Sequence, residues 1–461
     1  MGGASLGGGL LLAGPLQALL AHPSHAQGTG YGPIAPVKDR TTGDEMLALP
    51  KGFEYWSLGA EGKPMSRDGN TPDFHDGMAA FQYGSKIHLV RNHEVRKPGK
   101  AFGTAGKAYD PRAPGGTTTI IFDQQRPEKL ESYPSLTGTS TNCAGGRSPR
   151  GTWLSCEETD EGAENGYDRP HGFVFEVPSD GSIAEAKPLP ALGRFRHEAL
   201  AVDPATWIVY LTEDHENTSG LYRFLPASPG NLEVGRLQML AIDGKPKARL
   251  FTGQEMHVSL SVAWVDIATP APDPITKTTR VFRQGEASGG AAFRRLEGAW
   301  WSRRDATVYF TATNGGDAQA GQVWALKPGP AEGTAETSDR LTLIYESPGE
   351  RALYYPDNIT VSPGGDLLAC EDPYHEQAVH LRGITRDGKV YDFARNIRPG
   401  TYKDTKRKQS EGEFAGATFS RDGNWLFVNL QEPGVTVAIT GPFEKGPLGR
   451  QAGQPDPGYD W

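Results

Sequence analysis

The strongest constraint on the fold of this chain is a β-hairpin pattern that recurs along the sequence. Apolar and polar residues alternate with a period of two between Gly, Pro and Asp turns, which is typical of short strands. Six hairpins have a second strand that ends at or beside an acidic residue, and most of these ends lie about 60 residues apart. The acidic ends are Glu94, Glu157 with Glu158, Glu213 with Asp214, Asp317, Glu371 with Asp372, and Glu432.

This repetition predicts an all-β fold, a six-bladed β-propeller formed by residues 27–461 as a single catalytic domain. A single hairpin leaves its apolar face in water, whereas radial closure of the blades buries these faces and protects the sheet edges. The longer interval after Asp214 predicts an insertion at about 226–277, between the third and fourth blades. A seven-bladed closure and a large β-sandwich are the alternatives.

The first 26 residues are interpreted as an export signal. Their Gly-, Leu- and Ala-rich run ends in Ser24-His25-Ala26, which has the small-x-small pattern of a cleavage site. A basic start is missing, so either the true start lies upstream, with a twin-arginine signal, or the chain begins late. We therefore expect a periplasmic or secreted protein that acts as a monomer. No later apolar run is long enough for stable membrane insertion.

Charge and cysteine content restrict the partners of the protein. The net charge of −9 argues against nucleic acid as a partner, because nucleic-acid binding usually needs a basic surface. A secreted disulfide scaffold usually has a larger and even number of cysteines, whereas this chain has three, Cys143, Cys156 and Cys370. At least one of them is therefore unpaired or bound to something else.

The first strand of each hairpin carries a notable residue at a constant distance from the following turn. Five residues before the turns of the second to sixth hairpins stand Cys143, Glu198, Glu297, Asp357 and Ala415. Two residues earlier, on the same strand face by the period of two, stand Thr141, Arg196, Arg295, Tyr355 and Glu413. The innermost strands of a propeller line its central channel, so we expect these side chains to converge on one axis.

Several carboxylates around one axis predict bound cations, because each unpaired buried charge costs several kcal/mol. Oxygen ligands alone favour Ca²⁺, but the soft thiolate of Cys143 favours a transition metal beside it. The sequence therefore predicts a mixed metal site.

Seven separated motifs resemble the PhoX-type alkaline phosphatases over nearly all of the chain after the export signal. They are RNHE (91–94), NCAGGRSPRGTWLSCEE (142–158), GRFRHEA (193–199), TEDH (212–215), RLEG (295–298), YPDN (355–358) and FAGATFSRDGNWLFVNLQEPG (414–434). The resemblance implies a secreted six-bladed propeller that contains ferric iron (Fe³⁺) and calcium and hydrolyses small phosphate monoesters.

The resemblance also implies roles for individual residues. Iron ligands would be Cys143, Glu198 and Glu297, the last of which would also bridge to calcium. Calcium ligands would be Glu157, Asp357 and Glu413, although Glu158 is an alternative to Glu157 because adjacent strand residues face opposite ways. The phosphate would be held by Arg295 and Asn358.

Two other functions are compatible with the same fold. One is a calcium-dependent lactonase or ester hydrolase, which would have little need of the Cys143 thiolate. The other is a binding scaffold in which the metals only stabilise the channel.

Overall fold

The computed structural model describes residues 29–103, 108–273, 280–334, 338–373, 378–398 and 412–450. The predicted export signal and residues 274–277 of the predicted insertion lie outside these ranges. Within them the chain is built almost entirely from antiparallel strands, with one short α-helix, α1 (Val281–Ala287), and 3₁₀ turns at Ala163–Asn165, Pro190–Leu192 and Phe443–Lys445. None of the described helices is long and apolar enough to cross a membrane.

The N-terminal half of the described chain forms three groups of strands. Before the first repeat come β1 (Ile34–Lys38), β2 (Glu45–Pro50) and β3 (Glu54–Leu58). A four-stranded sheet follows, with β4 (His75–Tyr83), β5 (Lys86–His93), β6 (Gly115–Asp123) and β7 (Leu130–Thr139) in that order. The next sheet has three strands, β8 (Asn142–Arg147), β9 (Thr152–Glu157) and β10 (Val174–Pro178).

The middle of the chain forms one nine-stranded sheet. Its first part is β11 (His197–Val202), β12 (Val209–Glu213), β13 (Leu221–Pro226) and β14 (Gly235–Ile242). Its second part is β16 (Leu296–Ser302), β17 (Thr307–Ala312), β18 (Gln322–Lys327) and β19 (Arg340–Glu346). The two parts are joined because β15 (Ser259–Asp266) pairs with both β14 and β19. The segment predicted as an insertion therefore contributes β14 and β15 to the sheet.

The C-terminal strands complete the molecule and join its two ends. One sheet contains β20 (Pro356–Val361), β21 (Leu367–Glu371), β22 (His380–Ile384) and β23 (Val390–Asn396), followed by β2 and β1. The last contains β24 (Phe414–Phe419), β25 (Trp425–Leu430) and β26 (Val435–Thr440), followed by the N-terminal strand β3. Pairing of β3 with β26 therefore ties the start of the described chain to its end.

The first strands of the hairpins contact one another in a closed ring. β4 contacts β8, then the contacts run through β11, β16, β20 and β24, and β24 returns to β4. Between neighbouring sheets the core is apolar. One cluster contains five fully buried side chains, those of Tyr55, Leu381, Phe393, Val428 and Val437. Full burial of each such side chain stabilises the folded protein by about 1.5–3 kcal/mol. The prediction of an all-β, propeller-like fold is confirmed.

Each of these six first strands contains a β-bulge near its beginning. The shifts in register lie between His75 and Met78, Asn142 and Gly145, His197 and Leu200, Leu296 and Ala299, Pro356 and Ile359, and Ala415 and Thr418. A bulge inserts an extra residue and redirects the side chains there. Five of the bulges contain an acidic residue or a cysteine, namely Asp76, Cys143, Glu198, Glu297 and Asp357.

We expect Gly298→Ala to destabilise the protein, because β16 approaches β20 closely at this bulge. A Cβ atom at Gly298 would lie 2.6 Å from Ile359 N and 2.7 Å from Asp357 O, both of which are backbone atoms. Forcing extra volume into such a contact typically costs about 1–3 kcal/mol, so the free energy of unfolding in urea should fall by that amount.

Gly99→Ala is the matched control, because its Cβ would make only ordinary contacts, with the Pro114 side chain at 3.5 Å and with Lys97 O at 4.0 Å. This exposed position should change the free energy of unfolding by less than about 0.5 kcal/mol. Equal stability of the two variants would contradict the tight approach of β16 and β20.

Candidate metal centre

An acidic pocket of about 440 Å³ lies where the first strands begin. Nine carboxylic acids line it: Asp76, Glu94, Glu158, Asp214, Glu216, Glu297, Asp357, Asp372 and Glu413. The other lining residues are Arg96, Cys143, Arg196, Arg295, Asn314 and Tyr355. Because the acids outnumber the arginines by nine to three, an anion would enter this pocket only if cations neutralised it.

The bulges bring ligand-type atoms from different sheets together. Cys143 Sγ lies 3.5 Å from Asp76 Oδ2 and 3.2 Å from Glu198 Oε1. Three groups have ligand atoms within 4.8 Å of one another: Asp76 with Glu94 and Cys143, Cys143 with Glu158 and Glu198, and Glu198 with Glu297 and Asp357. Shared members connect the three groups into one continuous cluster.

A second set of acids comes from the residues that directly follow the second strands. Their backbone N–H groups donate to the carbonyl oxygen of the residue two positions before the bulge residue of the same hairpin. The bonds are Glu94 to Phe74 at 2.9 Å, Glu158 to Thr141 at 2.8 Å, Asp214 to Arg196 at 3.1 Å and Asp372 to Tyr355 at 3.0 Å. The last hairpin has the same backbone contact, from Gln431 N to Glu413 O at 3.1 Å. Here the acid is on the accepting side, since Glu413 occupies the position of Phe74 and Thr141.

Burial makes the charged forms of these acids unfavourable. The pKa values of Asp76, Glu198, Glu297 and Asp357 all lie well above their usual range, first because of burial. Neighbouring carboxylates raise the pKa further, as Glu94 does for Asp76 and Glu297 does for Glu198. Burial also raises the pKa of the Cys143 thiol. Without cations these groups would have to bind protons to remain buried together.

The donor atoms fit metal ions. Asp76 Oδ1 and Glu198 Oε2 are buried and have no hydrogen-bond partner among the described residues. Buried carboxylate oxygens without a partner are rare in proteins, and a cation is a partner that would satisfy several of them together. Carboxylates are suitable for Ca²⁺, whereas the thiolate of Cys143 suits a transition metal.

Two arginines stand on either side of Asp214. Arg295 Nε lies 3.4 Å from Asp214 Oδ1, and Arg196 Nη2 lies 3.8 Å from Asp214 Oδ2. Arg295 Nη2 also contacts Glu297 Oε1 at 2.5 Å, and Arg196 forms an ion pair with Glu158. Desolvation raises the pKa of the shared Asp214 to about 6, although Arg295 opposes this rise. Asp214 thus holds two guanidinium groups at the wall of the pocket.

Arg295 reaches the pocket through its backbone conformation. It precedes β16 and has a φ of 42°, in the left-handed region, so the period-two geometry assumed from the sequence does not apply to it. Its N–H donates to His215 O at 3.2 Å, and its carbonyl accepts from Thr313 N at 2.9 Å. These bonds hold a conformation that is strained for a residue with a Cβ atom.

The structure does not bring Glu157 into the pocket. Its carboxylate contacts His171 Nδ1 at 2.6 Å and accepts the backbone N–H groups of Ser140, Gly172 and Phe173 at 2.9, 2.8 and 3.1 Å. These contacts use both oxygens to tie loops together behind the pocket. Of the two adjacent acids, Glu158 is the one that lines it.

Asn358 also lies outside the lining of this pocket. Its Nδ2 donates to Asp357 Oδ1 at 2.9 Å, and its Oδ1 accepts from Gly416 N at 2.6 Å. The side chain therefore positions Asp357 against the neighbouring strand β24. The other predicted residues, Cys143, Glu198, Glu297, Asp357, Glu413 and Arg295, come together at the pocket or in its ligand groups.

Sequence reasoning missed Asp76. It occupies in the first hairpin the bulge position that Cys143 and Glu198 occupy in the next two. The constant distance of five residues before the turn does not lead to Asp76, because β4 (His75–Tyr83) is longer than the other first strands and five residues before Gly84 stands Ala79. The sequence identifies Glu94, Asp214 and Asp372 as acidic strand ends and assigns them no ligand role.

Comparison with known proteins identifies similar chains. A family model described as Alkaline phosphatase PhoX matches residues 29–130 and 123–434. Among solved structures, Pseudomonas fluorescens PhoX in complex with vanadate, a transition state analogue, is 17% identical with a TM-score of 0.63, over 88% of this chain and 98% of that chain. A gluconolactonase from Xanthomonas campestris is 12% identical with a TM-score of 0.44, over 90% of this chain and 99% of that chain. A search of curated proteins finds no match.

We expect the adjacent acids Glu157 and Glu158 to respond differently to substitution. Glu158→Gln removes a charge from a group of ligand atoms, so metal affinity should fall about 10-fold or more while the fold is kept. Glu157→Gln breaks contacts behind the pocket, so the free energy of unfolding should fall by about 1–3 kcal/mol. Metal titration and urea denaturation of both variants would measure this, and the opposite pattern would assign the ligand to Glu157.

Proposed function

The chain belongs to the alkaline phosphatase PhoX family, and we propose that the acidic pocket at the centre of its ring of strands is where it hydrolyses phosphate monoesters. It is a metal-dependent phosphoric monoester hydrolase. Family membership decides among the three functions considered from the sequence, in favour of the phosphatase. The observation that carries the assignment to this pocket is its connected cluster of buried ligand atoms.

The metals in this proposal are iron and calcium. Iron would be held by Cys143, Glu198 and Glu297, since the cluster combines a thiolate with carboxylates. Calcium would be held by Asp357 and Glu413, with Glu158 replacing Glu157 because Glu158 lines the pocket. Asp76 joins them as a further candidate, supported by its unpartnered oxygen. When bound, such metals supply Lewis acidity that polarises phosphate and leaving-group oxygens.

Arg295 would bind the phosphate group. Its guanidinium can donate two parallel hydrogen bonds to phosphate oxygens, and its side chain is only 13% exposed. Little water would therefore compete with these bonds, which strengthens them as charge develops in the transition state. Asp214 would keep the guanidinium oriented toward the pocket, and Asn358 would act indirectly by positioning Asp357.

The same proposal covers the organisation of the protein. A count of six blades is supported by the closed contacts among β4, β8, β11, β16, β20 and β24. Export to the periplasm or the medium, by a twin-arginine or other signal, is supported by the composition of residues 1–26. The protein would act as a monomer on small phosphate esters.

Elemental analysis of the purified native protein should find both iron and calcium. Cys143→Ser should lose iron before it loses calcium, because it replaces the soft ligand and leaves the carboxylates in place. Cys156→Ser is the matched control, since this buried thiol lies outside the ligand groups of the described residues. Active enzyme with calcium as its sole metal would refute the mixed site.

Arg295→Ala should lower the turnover number on p-nitrophenyl phosphate by at least about 100-fold at saturating metal, because one charge-stabilising group is lost from a desolvated site. Arg295→Lys should restore only part of the rate, because an ammonium group cannot reproduce the two-point contact. Arg283→Ala, which removes an exposed ion pair with Glu286 on α1, should leave the rate unchanged. A normal rate for Arg295→Ala would exclude Arg295 from the reaction.

A further inference from the structure

Four buried side chains of second strands reach across to the first strand of the neighbouring hairpin at the level of the bulges. Each donates a hydrogen bond to the backbone carbonyl oxygen of a residue of the ligand cluster on the next first strand. The bonds are Asn92 Nδ2 to Cys143 O at 3.0 Å, Thr212 Oγ1 to Glu297 O at 2.6 Å, Thr311 Oγ1 to Asp357 O at 2.7 Å and Asn429 Nδ2 to Asp76 O at 2.5 Å. All four donor residues are 0% exposed.

Three of the four donors occupy one register, and the fourth lies one residue away from it. Asn92, Thr212 and Thr311 each face the bulge of their own hairpin, and Asn429 pairs with Ala415 beside the bulge of the last one. Each therefore touches the next hairpin at the level of the bulges or one residue from it. Cys156 and Cys370 stand opposite the bulges of the second and fifth hairpins, and buried thiols are weaker donors.

A bulge makes such a donor necessary. The extra residue is left out of the regular ladder, so its carbonyl needs a partner from outside its own hairpin. The carbonyl is buried, and a buried carbonyl without a partner costs about 1–3 kcal/mol. Close approach of the strands, as at Gly298 and Ile359, brings the neighbouring side chain within reach.

The orientation of the donors is itself determined by buried partners. Asn92 Oδ1 accepts from Trp153 Nε1 at 2.9 Å and from Ser155 Oγ at 2.9 Å, which directs its Nδ2 toward Cys143. Thr212 Oγ1 accepts from Ala199 N at 3.0 Å, and of the two carbonyl oxygens within reach of its hydroxyl hydrogen, Glu297 O at 2.6 Å is nearer than Ala199 O at 3.1 Å. Rotation of either side chain would therefore break more than one hydrogen bond.

We propose that Asn92, Thr212, Thr311 and Asn429 form an inter-hairpin clamp that positions the metal ligands of one hairpin relative to those of the next. The proposal rests on the proposed function in one respect, that Asp76, Cys143, Glu297 and Asp357 bind metal. Metal ions tolerate little change in ligand spacing, and residues that orient ligands typically change metal affinity or activity about 10- to 100-fold when they are removed. The clamp residues do not line the pocket, so they act through the ligands.

Thr311→Val tests the clamp, because valine keeps the shape of threonine and removes the donor to Asp357 O. Calcium affinity, measured by competition with a chelator, should fall about 10- to 100-fold. Iron content should stay near the wild-type value, because Asp357 belongs to the calcium side of the proposed site. At saturating calcium the rate should return with little change in KM. Thr311→Ser, which keeps the hydroxyl, should have calcium affinity close to that of the wild type.

Thr360→Val is the matched control. Thr360 lies on β20, the strand of Asp357, and its buried hydroxyl has no hydrogen-bond partner among the described residues. This variant should leave calcium affinity and rate unchanged. Thr212→Val gives a second, independent test: it should release iron more readily, because the carbonyl of Glu297 loses its donor.

A lowered melting temperature with unchanged calcium affinity in Thr311→Val would overturn the proposal, since the hydroxyl would then stabilise the fold alone. Equal weakening by Thr311→Ser or by Thr360→Val would also overturn it. Failure of the proposed function is a separate result, because it would appear in the wild type as metal binding without phosphate release. The variant-to-wild-type ratio of metal affinities tests the clamp in either case.

Discussion

Electrostatic repulsion among buried carboxylates is the constraint on which the rest of the structure depends. Asp76, Glu198, Glu297 and Asp357 are at most 6% exposed, and each comes from a different first strand. Uncompensated burial of even one such charge costs several kcal/mol, so the arrangement is stable only with bound cations or protons. Apolar cores between the sheets, together with the pairing of β3 and β26, keep the acids together against this repulsion.

The bulges determine where the side chains of the metal-ligand cluster point. A regular strand would place alternate side chains on opposite faces, whereas a bulge redirects a side chain without ending the strand. Repeating the bulge in successive hairpins aims Cys143 and the acids at one axis. The cost is a set of buried carbonyls without ladder partners, which side chains such as Thr212 and Thr311 of adjacent hairpins satisfy. The same bulges therefore both build the metal site and join neighbouring hairpins.

The arginines explain how so acidic a pocket can accept a phosphate ester. Arg295 and Arg196 are held by Asp214, and they place positive charge at the wall beside the ligand cluster. Bound metals would neutralise the acids in the centre, while the guanidinium groups would contact the substrate from the side. A carboxylate such as Asp214 therefore serves the site by orienting a cation, whereas Glu157 serves the loops behind it.

The sequence by itself determined the all-β architecture and most of the site, because both are written in periodic patterns. Alternating residues and regular turns predicted the strands, and the constant register predicted that Cys143, Glu198, Glu297 and Asp357 would meet. Only the tertiary structure decided which of Glu157 and Glu158 faces the pocket, that Asp76 joins the cluster, and that Asn358 supports Asp357 from behind. The reason is that a bulge shifts the alternation of side chains by one residue, and that contacts between sheets form only when the ring closes.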